Sequence, residues 1–184
     1  MRLFIAVNFK DDTRAQLLAL QDELRGCSER GKFSMPENLH LTLAFLGECN
    51  DEQSAAAKAA MEASSFEPFP VYIERIGRFR RDGGDIWWAG LQESKALTGL
   101  QKDLTDNLTA MGFSIERRKF SPHVTLGREI VTGAKPREVA PFGETVGTID
   151  LMKSERIHGR LTYTSIFSCP KYQSKGLSRH RLRK

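Results

Sequence analysis

Apolar positions along the chain switch between a spacing of two and a spacing of three to four, and each switch marks an element. Residues 2–9 are dense in apolar and aromatic side chains and predict a first strand. Asp11, Asp12 and Thr13 then open a helical run in which Leu17, Leu18, Leu20 and Leu24 fall on one face, with Gly26 near its end. Pro36 and Asn38 lead into an alternating run that starts at His40 and stops at Gly47. An Ala-rich helix follows, capped by Asn50 or Asp51 and reaching Ala63. Pro68 and Pro70 break the pattern before a strand over 71–77. The Asp82-Gly83-Gly84-Asp85 turn sends the chain back as a hairpin partner over 86–91. Ser94 opens a further helix through Leu97, Leu100, Leu104, Leu108 and Met111, ended by Gly112. A strand over 123–130, a loop holding Gly133, Pro136 and Pro141, and strands over 146–157 and 161–168 complete the body. Tight turns between successive strands favour antiparallel pairing, so the pattern predicts one α+β body and no second independent domain.

Two of these strands carry the same string. His40-Leu41-Thr42-Leu43 recurs as His123-Val124-Thr125-Leu126, and the chain has only four histidines, so half of them sit in one pattern. On a strand, residues two apart share a face. His40 and Thr42 therefore project together while Leu41 and Leu43 anchor the opposite face, and His123 with Thr125 repeats the arrangement. Two similar half-sites predict one active site built between two related halves.

Composition narrows the setting. The 184 residues are 40% hydrophobic and 28% charged, enough for one substantial core. No apolar run approaches the ~18 to 20 residues that cross a bilayer, and the apolar start is too short for a signal peptide. Cys27, Cys49 and Cys169 are odd in number and widely spaced, which fits a reducing, cytoplasmic setting better than a disulfide framework. The net charge of +5 comes from the end of the chain. Residues 171–184 hold Lys171, Lys175, Arg179, Arg181, Arg183 and Lys184 and no acid; without these six, the 28 basic residues fall to 22, against 23 acidic ones. The expected division is a single body over 1–170 and a basic tail over 171–184, suited to sequence-independent phosphate contacts.

Two imidazoles and two hydroxyls suit a phosphodiester. One imidazole takes a proton from the attacking nucleophile and the other gives one to the leaving oxygen, a task for groups that titrate near neutrality. The threonine hydroxyls donate to the phosphoryl oxygens that carry transition-state charge. A zinc site needs three or four ligands, and no H-E-x-x-H, C-x-x-C or aspartate cluster accompanies these histidines, so metal-independent chemistry without a cofactor is expected. His158 and His180 lie outside the pattern and receive no role.

The runs Asn38-Leu39-His40-Leu41-Thr42-Leu43-Ala44-Phe45-Leu46-Gly47 and Ser121-Pro122-His123-Val124-Thr125-Leu126-Gly127-Arg128 resemble the paired H-x-[ST]-x motifs of the 2H phosphoesterase superfamily. The likeness is greatest to its RNA 2′,3′-cyclic phosphodiesterase branch, also called 2′-5′ RNA ligase, and it extends over residues 1–168. It implies a bilobed fold of two antiparallel sheets with flanking helices, a pseudo-two-fold axis and a central cleft lined by the motifs. It implies hydrolysis of an RNA or nucleotide 2′,3′-cyclic phosphate to a 2′-phosphate, with 2′-5′ ligation as the reverse reaction. Nothing in the sequence demands more than a monomer. His40 would be the acid toward the 3′ oxygen and His123 the base on water, roles that exchange in ligation, and Thr42 and Thr125 would hold the phosphate.

Phe45 and Arg128 each follow their histidine by five residues. A ring and a guanidinium plane both stack on a nucleobase, and the pair is a candidate clamp for the terminal base. Arg117, Arg118 and Lys119, with Arg75, Arg78, Arg80 and Arg81, are candidates to guide an RNA backbone. Two other readings stand beside the leading one. The near-neutral body also fits a phosphodiesterase of small nucleotides or 2′-5′-linked oligonucleotides, and the basic tail fits a non-catalytic RNA-binding module.

Overall fold

A computed structural model describes residues 1–116 and 119–171. The order of elements is β1 (Arg2–Asn8), α1 (Asp11–Gly26), β2 (Ser28–Phe33), a 3-10 turn (Pro36–Asn38), β3 (His40–Glu48), α2 (Asp51–Ala63), β4 (Phe69–Phe79), β5 (Asp85–Leu91), α3 (Lys95–Ala110), β6 (His123–Thr132), β7 (Arg137–Val146), β8 (Thr148–Ile157) and β9 (Arg160–Pro170). The tail from residue 172 and the candidates Arg117 and Arg118 lie outside the described residues.

All strand pairs are antiparallel, in the order β7-β4-β5-β6-β3-β1-β8-β9, with β2 added to β6. Within that order lie two halves. One is β3-β1-β8-β9 and the other is β6-β5-β4-β7 with β2. They meet at a single ladder pair, Leu41 with Val124. The two expected sheets are therefore the halves of one nine-stranded sheet, joined through the middle residue of each His-x-Thr string.

Central strand β1 is buried on both faces, which its near-continuous apolar run already suggests. Leu3, Ile5 and Val7 enter the main core, while Phe4 and Ala6 form a small second cluster with Met152 and Tyr163 on the opposite face. Helices cover the main core. α1 packs against β2, β6 and β7, α2 against β8, β9 and α3, and α3 against β3 and β4. The α2 cap resolves to Asn50: its side chain accepts from the Gln53 N–H at 2.8 Å, and the Gln53 side chain accepts from the Asn50 N–H at 3.0 Å, a reciprocal capping box. Ser94 caps α3 through the Leu97 N–H at 3.2 Å.

Two strands escape the periodicity. β2 is exposed or half-exposed along its length and carries no alternating apolar face. The expected loop with Pro136 and Pro141 is instead largely strand β7, an edge strand paired only to β4, where a residue without an N–H costs no ladder bond on the open side.

Leu41 is fully buried at the junction, facing Val124, also fully buried. Leu41→Ala should lower unfolding stability by about 2–5 kcal/mol in urea titration, with catalytic loss at temperatures where the protein stays folded, because the halves lose their shared anchor.

Candidate active site

Antiparallel pairing at Leu41 and Val124 fixes what surrounds it. One step out along the register, His40 lies beside Thr125 and Thr42 beside His123, so each imidazole neighbours the other strand's hydroxyl. Side chains alternate along a strand, and the burial of Leu41 and Val124 leaves all four polar groups on the opposite, cleft face. The sequence places a histidine and a threonine on one face of each strand; the single bridge makes them a quartet.

Each imidazole is pinned identically. His40 Nδ1 lies 2.7 Å from the Asn38 carbonyl oxygen, and His123 Nδ1 lies 2.7 Å from that of Ser121. A carbonyl only accepts, so Nδ1 carries the proton in both rings and Nε2 is the titrating nitrogen. His40 Nε2 is 3.0 Å from Thr42 Oγ1. In the neutral ring the hydroxyl donates to that nitrogen; in the charged ring Nε2–H donates to the hydroxyl. Burial lowers the His40 pKa below its ordinary value; the Asn38 carbonyl opposes this, and the positive charge of His123 lowers it further.

The five-residue offset of Phe45 and Arg128 is odd, and strict alternation would turn both into the core. A β-bulge in each strand reverses the parity. In β3, Ile5 pairs with Ala44 and Ala6 with Thr42, leaving Leu43 as the extra residue. In β6, Trp87 pairs with Gly127 and Trp88 with Thr125, leaving Leu126 as the extra residue. The burial sequence is the same for both six-residue stretches, with half-buried His and Thr, two successive buried residues, then an exposed sixth. Phe45 (63% exposed) and Arg128 thus share the cleft face with the histidines. Since β3 and β6 run in opposite directions, the two residues flank the quartet on opposite sides. The Phe45 ring is 6.2 Å from that of Phe4. Arg128 stands close enough to Tyr163 for its charge to oppose the upward push of burial on the phenol.

Aromatic rings support both imidazoles, and nothing local in the sequence signals them. His40 packs on Phe4 at 4.9 Å and edge-on to Tyr163 at 5.2 Å. His123 meets Phe79 edge-on at 5.3 Å and Trp88 at 6.1 Å. Trp88 lies over Gly77 and Gly90, where an added Cβ would fall 2.3 Å and 2.8 Å from indole carbons. Glycine at those places is the legible trace of the ring. Beside His40 in the register, Asn8 donates to buried Asp150 at 2.8 Å, and Asp150 also accepts from Ser165 and Ser168.

The arginine run separates. Arg78 is tied to Asp85 at 3.0 Å, and it lines a shallow surface depression with Arg80 and Arg81 at the β4–β5 turn. Arg75 alone of the four reaches the cleft floor, over Gly90. Cys27, Cys49 and Cys169 are all free thiols. Among the described residues, no group of three or more His, Cys, Asp or Glu side chains is placed to hold a metal ion, and no helix is long and apolar enough to cross a membrane.

Residues 7–88 match the sequence family described as LigT like Phosphoesterase. The RNA 2′,3′-cyclic phosphodiesterase of Archaeoglobus fulgidus is 36% identical over 129 residues, covering 70% of this chain and 72% of its own. The protein of the same name from Escherichia coli K12 is 30% identical over 169 residues, 90% of this chain and 93% of its own. The crystal structure of E. coli LigT complexed with 3′-AMP superposes with a TM-score of 0.82 at 26% identity, over 92% of this chain and 97% of that one.

The pinned pair yields a measurable sign. His40 should titrate below the ordinary histidine value of 6.5 in an NMR pH series, and His123→Ala should raise its pKa by removing the neighbouring charge. A His40 pKa unmoved or lowered in that variant would contradict electrostatic contact between the rings.

Proposed function

The chain belongs to the LigT-like phosphoesterase family, and we propose that its cleft hydrolyses RNA 2′,3′-cyclic phosphate ends through His40 and His123. The observation that carries this assignment is the matched pair of imidazoles, each held by a 2.7 Å bond from Nδ1 to a carbonyl, on either side of one strand bridge.

The chemistry follows from the pair. With Nδ1 protonated in both rings, one Nε2 accepts a proton from water while the other, in its imidazolium form, donates. Water adds to phosphorus, the P–O3′ bond breaks, and the donated proton goes to O3′. The product is a 2′-phosphate with a free 3′-hydroxyl, and the two rings have exchanged protonation states. Burial and the charge of His123 both disfavour the protonated form of His40. The assignment that the resemblance implies, with His40 as acid and His123 as base, requires the bound phosphate's negative charge to stabilise the His40 imidazolium. Thr42 and Thr125 donate to the non-bridging oxygens, where negative charge builds, in a site that needs no metal. Run backwards, the same transfers join a cyclic phosphate to a 5′-hydroxyl through a 2′-5′ bond.

Phe45 and Arg128 hold the terminal nucleoside on either side of the quartet, the ring by stacking and the guanidinium by stacking or charge. Residues 1–170 are the catalytic unit in this reading, and the basic tail adds phosphate contacts.

Incubation of a nucleoside 2′,3′-cyclic phosphate with the protein in EDTA, followed by ³¹P NMR, should give the 2′-monophosphate. His40→Ala and His123→Ala should each slow turnover by about 100-fold or more. A 3′-monophosphate, or turnover restored only by added metal, would sink this mechanism. Phe45→Ala and Arg128→Ala should raise KM more than they lower kcat; unchanged KM in both would remove the clamp.

A further inference from the structure

A third bulge lines the cleft, and it redirects a charge. In β4, Val71 and Ile73 point into the core, and strict alternation would send Arg75 after them. Ile73 pairs with Leu91 and Arg75 with Gly90, leaving Glu74 as the extra residue. Beyond it the parity is reversed: Ile76 is buried, while Arg75, Gly77 and Phe79 face the cleft, where Phe79 meets His123. The same device that turns Phe45 and Arg128 outward thus brings a guanidinium to the floor beside His123.

The position of Arg75 is well defined. Gly90 is the direct register partner of His123, and the Arg75 side chain crosses it, with Cγ and Nε each 3.0 Å from where a Cβ of residue 90 would stand. A Cβ at residue 90 would press on both atoms, so glycine there gives the side chain its path. Arg75 Nη1 donates to Glu74 Oε1 at 2.7 Å, which orients the head and engages one of its five N–H donors. The outer neighbour in the register, Glu138, is exposed on β7. The side chain of Arg75 remains 41% exposed toward the cleft.

Arg75 stands two strands from His123, about 10 Å at the backbone, and its side chain reaches inward over Gly90 on the side of His123 away from the bridge. The reacting phosphate is already held between Thr42 and Thr125 in this reading, so a guanidinium on that flank suits the next anion along the same strand. We propose that Arg75 binds the phosphodiester one nucleotide 5′ of the reacting end, so that the enzyme prefers an oligoribonucleotide end to a free cyclic mononucleotide. This inference rests on the cyclic phosphodiesterase reading of the quartet. It makes the near-neutral body compatible with RNA, because the substrate's charge is met at one placed guanidinium and not over a basic surface.

Three substrates test it: adenosine 2′,3′-cyclic phosphate, the diadenosine ApA with the same cyclic end, and that dinucleotide with a neutral methylphosphonate in place of its internal phosphodiester. The wild type should favour the charged dinucleotide over both others. Arg75→Ala should reduce the ratio of kcat/KM for the charged dinucleotide over the mononucleotide by about tenfold, the size of a charge-assisted hydrogen bond, and should abolish discrimination against the methylphosphonate. Arg75→Lys should restore part of both. An equal loss on mononucleotide and dinucleotide would overturn the proposal, since Arg75 would then act on the reacting phosphate or on the fold. Unchanged ratios would overturn it as well. A wild type inert on the mononucleotide and both dinucleotides would instead remove the underlying cyclic phosphodiesterase reading.

Discussion

The cleft depends on one contact, the ladder pair between Leu41 and Val124. The polar groups of the candidate site are arranged around it by parity. Because side chains alternate, burying these two residues obliges their neighbours to face the other way, and antiparallel register obliges the neighbours to interleave as His, Thr, Thr, His. The halves of the sheet share almost nothing else in the ladder, so a change at this pair propagates to four reactive groups together. A continuous sheet with many rungs between β3 and β6 would have closed the cleft; no pairing at all would have left two half-sites with no fixed spacing.

Bulges then decide what borders the quartet. An extra residue in β3, in β6 and in β4 inverts the alternation next to the quartet, and the residues released onto the cleft face are Phe45, Arg128 and Arg75. Each is of a type suited to a nucleotide, by stacking or by charge. A bulge costs ladder hydrogen bonds and is well tolerated where a strand already bends. The strands here bend around a cleft, so the distortion that shapes the groove also aims its side chains.

The imidazoles are set in a matched frame of carbonyl and aromatic groups. A carbonyl two residues upstream holds each Nδ1, which leaves Nε2 as the titrating nitrogen. Rings behind each histidine exclude water from one side; for His40 this desolvation moves its titration downward. The two halves reach this result with different residues, Phe4 and Tyr163 on one side and Phe79 and Trp88 on the other. The symmetry of the site is therefore one of geometry, and the sequence repeat records only its innermost part.

The amino-acid sequence determined the chemistry and its local orientation. A repeated His-x-Thr-Leu string needs no tertiary information to place an imidazole and a hydroxyl on one strand face, since the period of two is a property of the backbone, and the helices were legible from their apolar stripes and from caps at Ser94 and at Asn50 or Asp51. Tertiary structure decided the rest, because it depends on which strands lie side by side. The rings behind the histidines come from strands as far as 123 residues away from them. β2 and β7 were hidden because an exposed strand and an edge strand need no alternating apolar face. The parity of Phe45, Arg128 and Arg75 was hidden for a further reason: a bulge is defined only against a partner strand, and one chain read alone has no register.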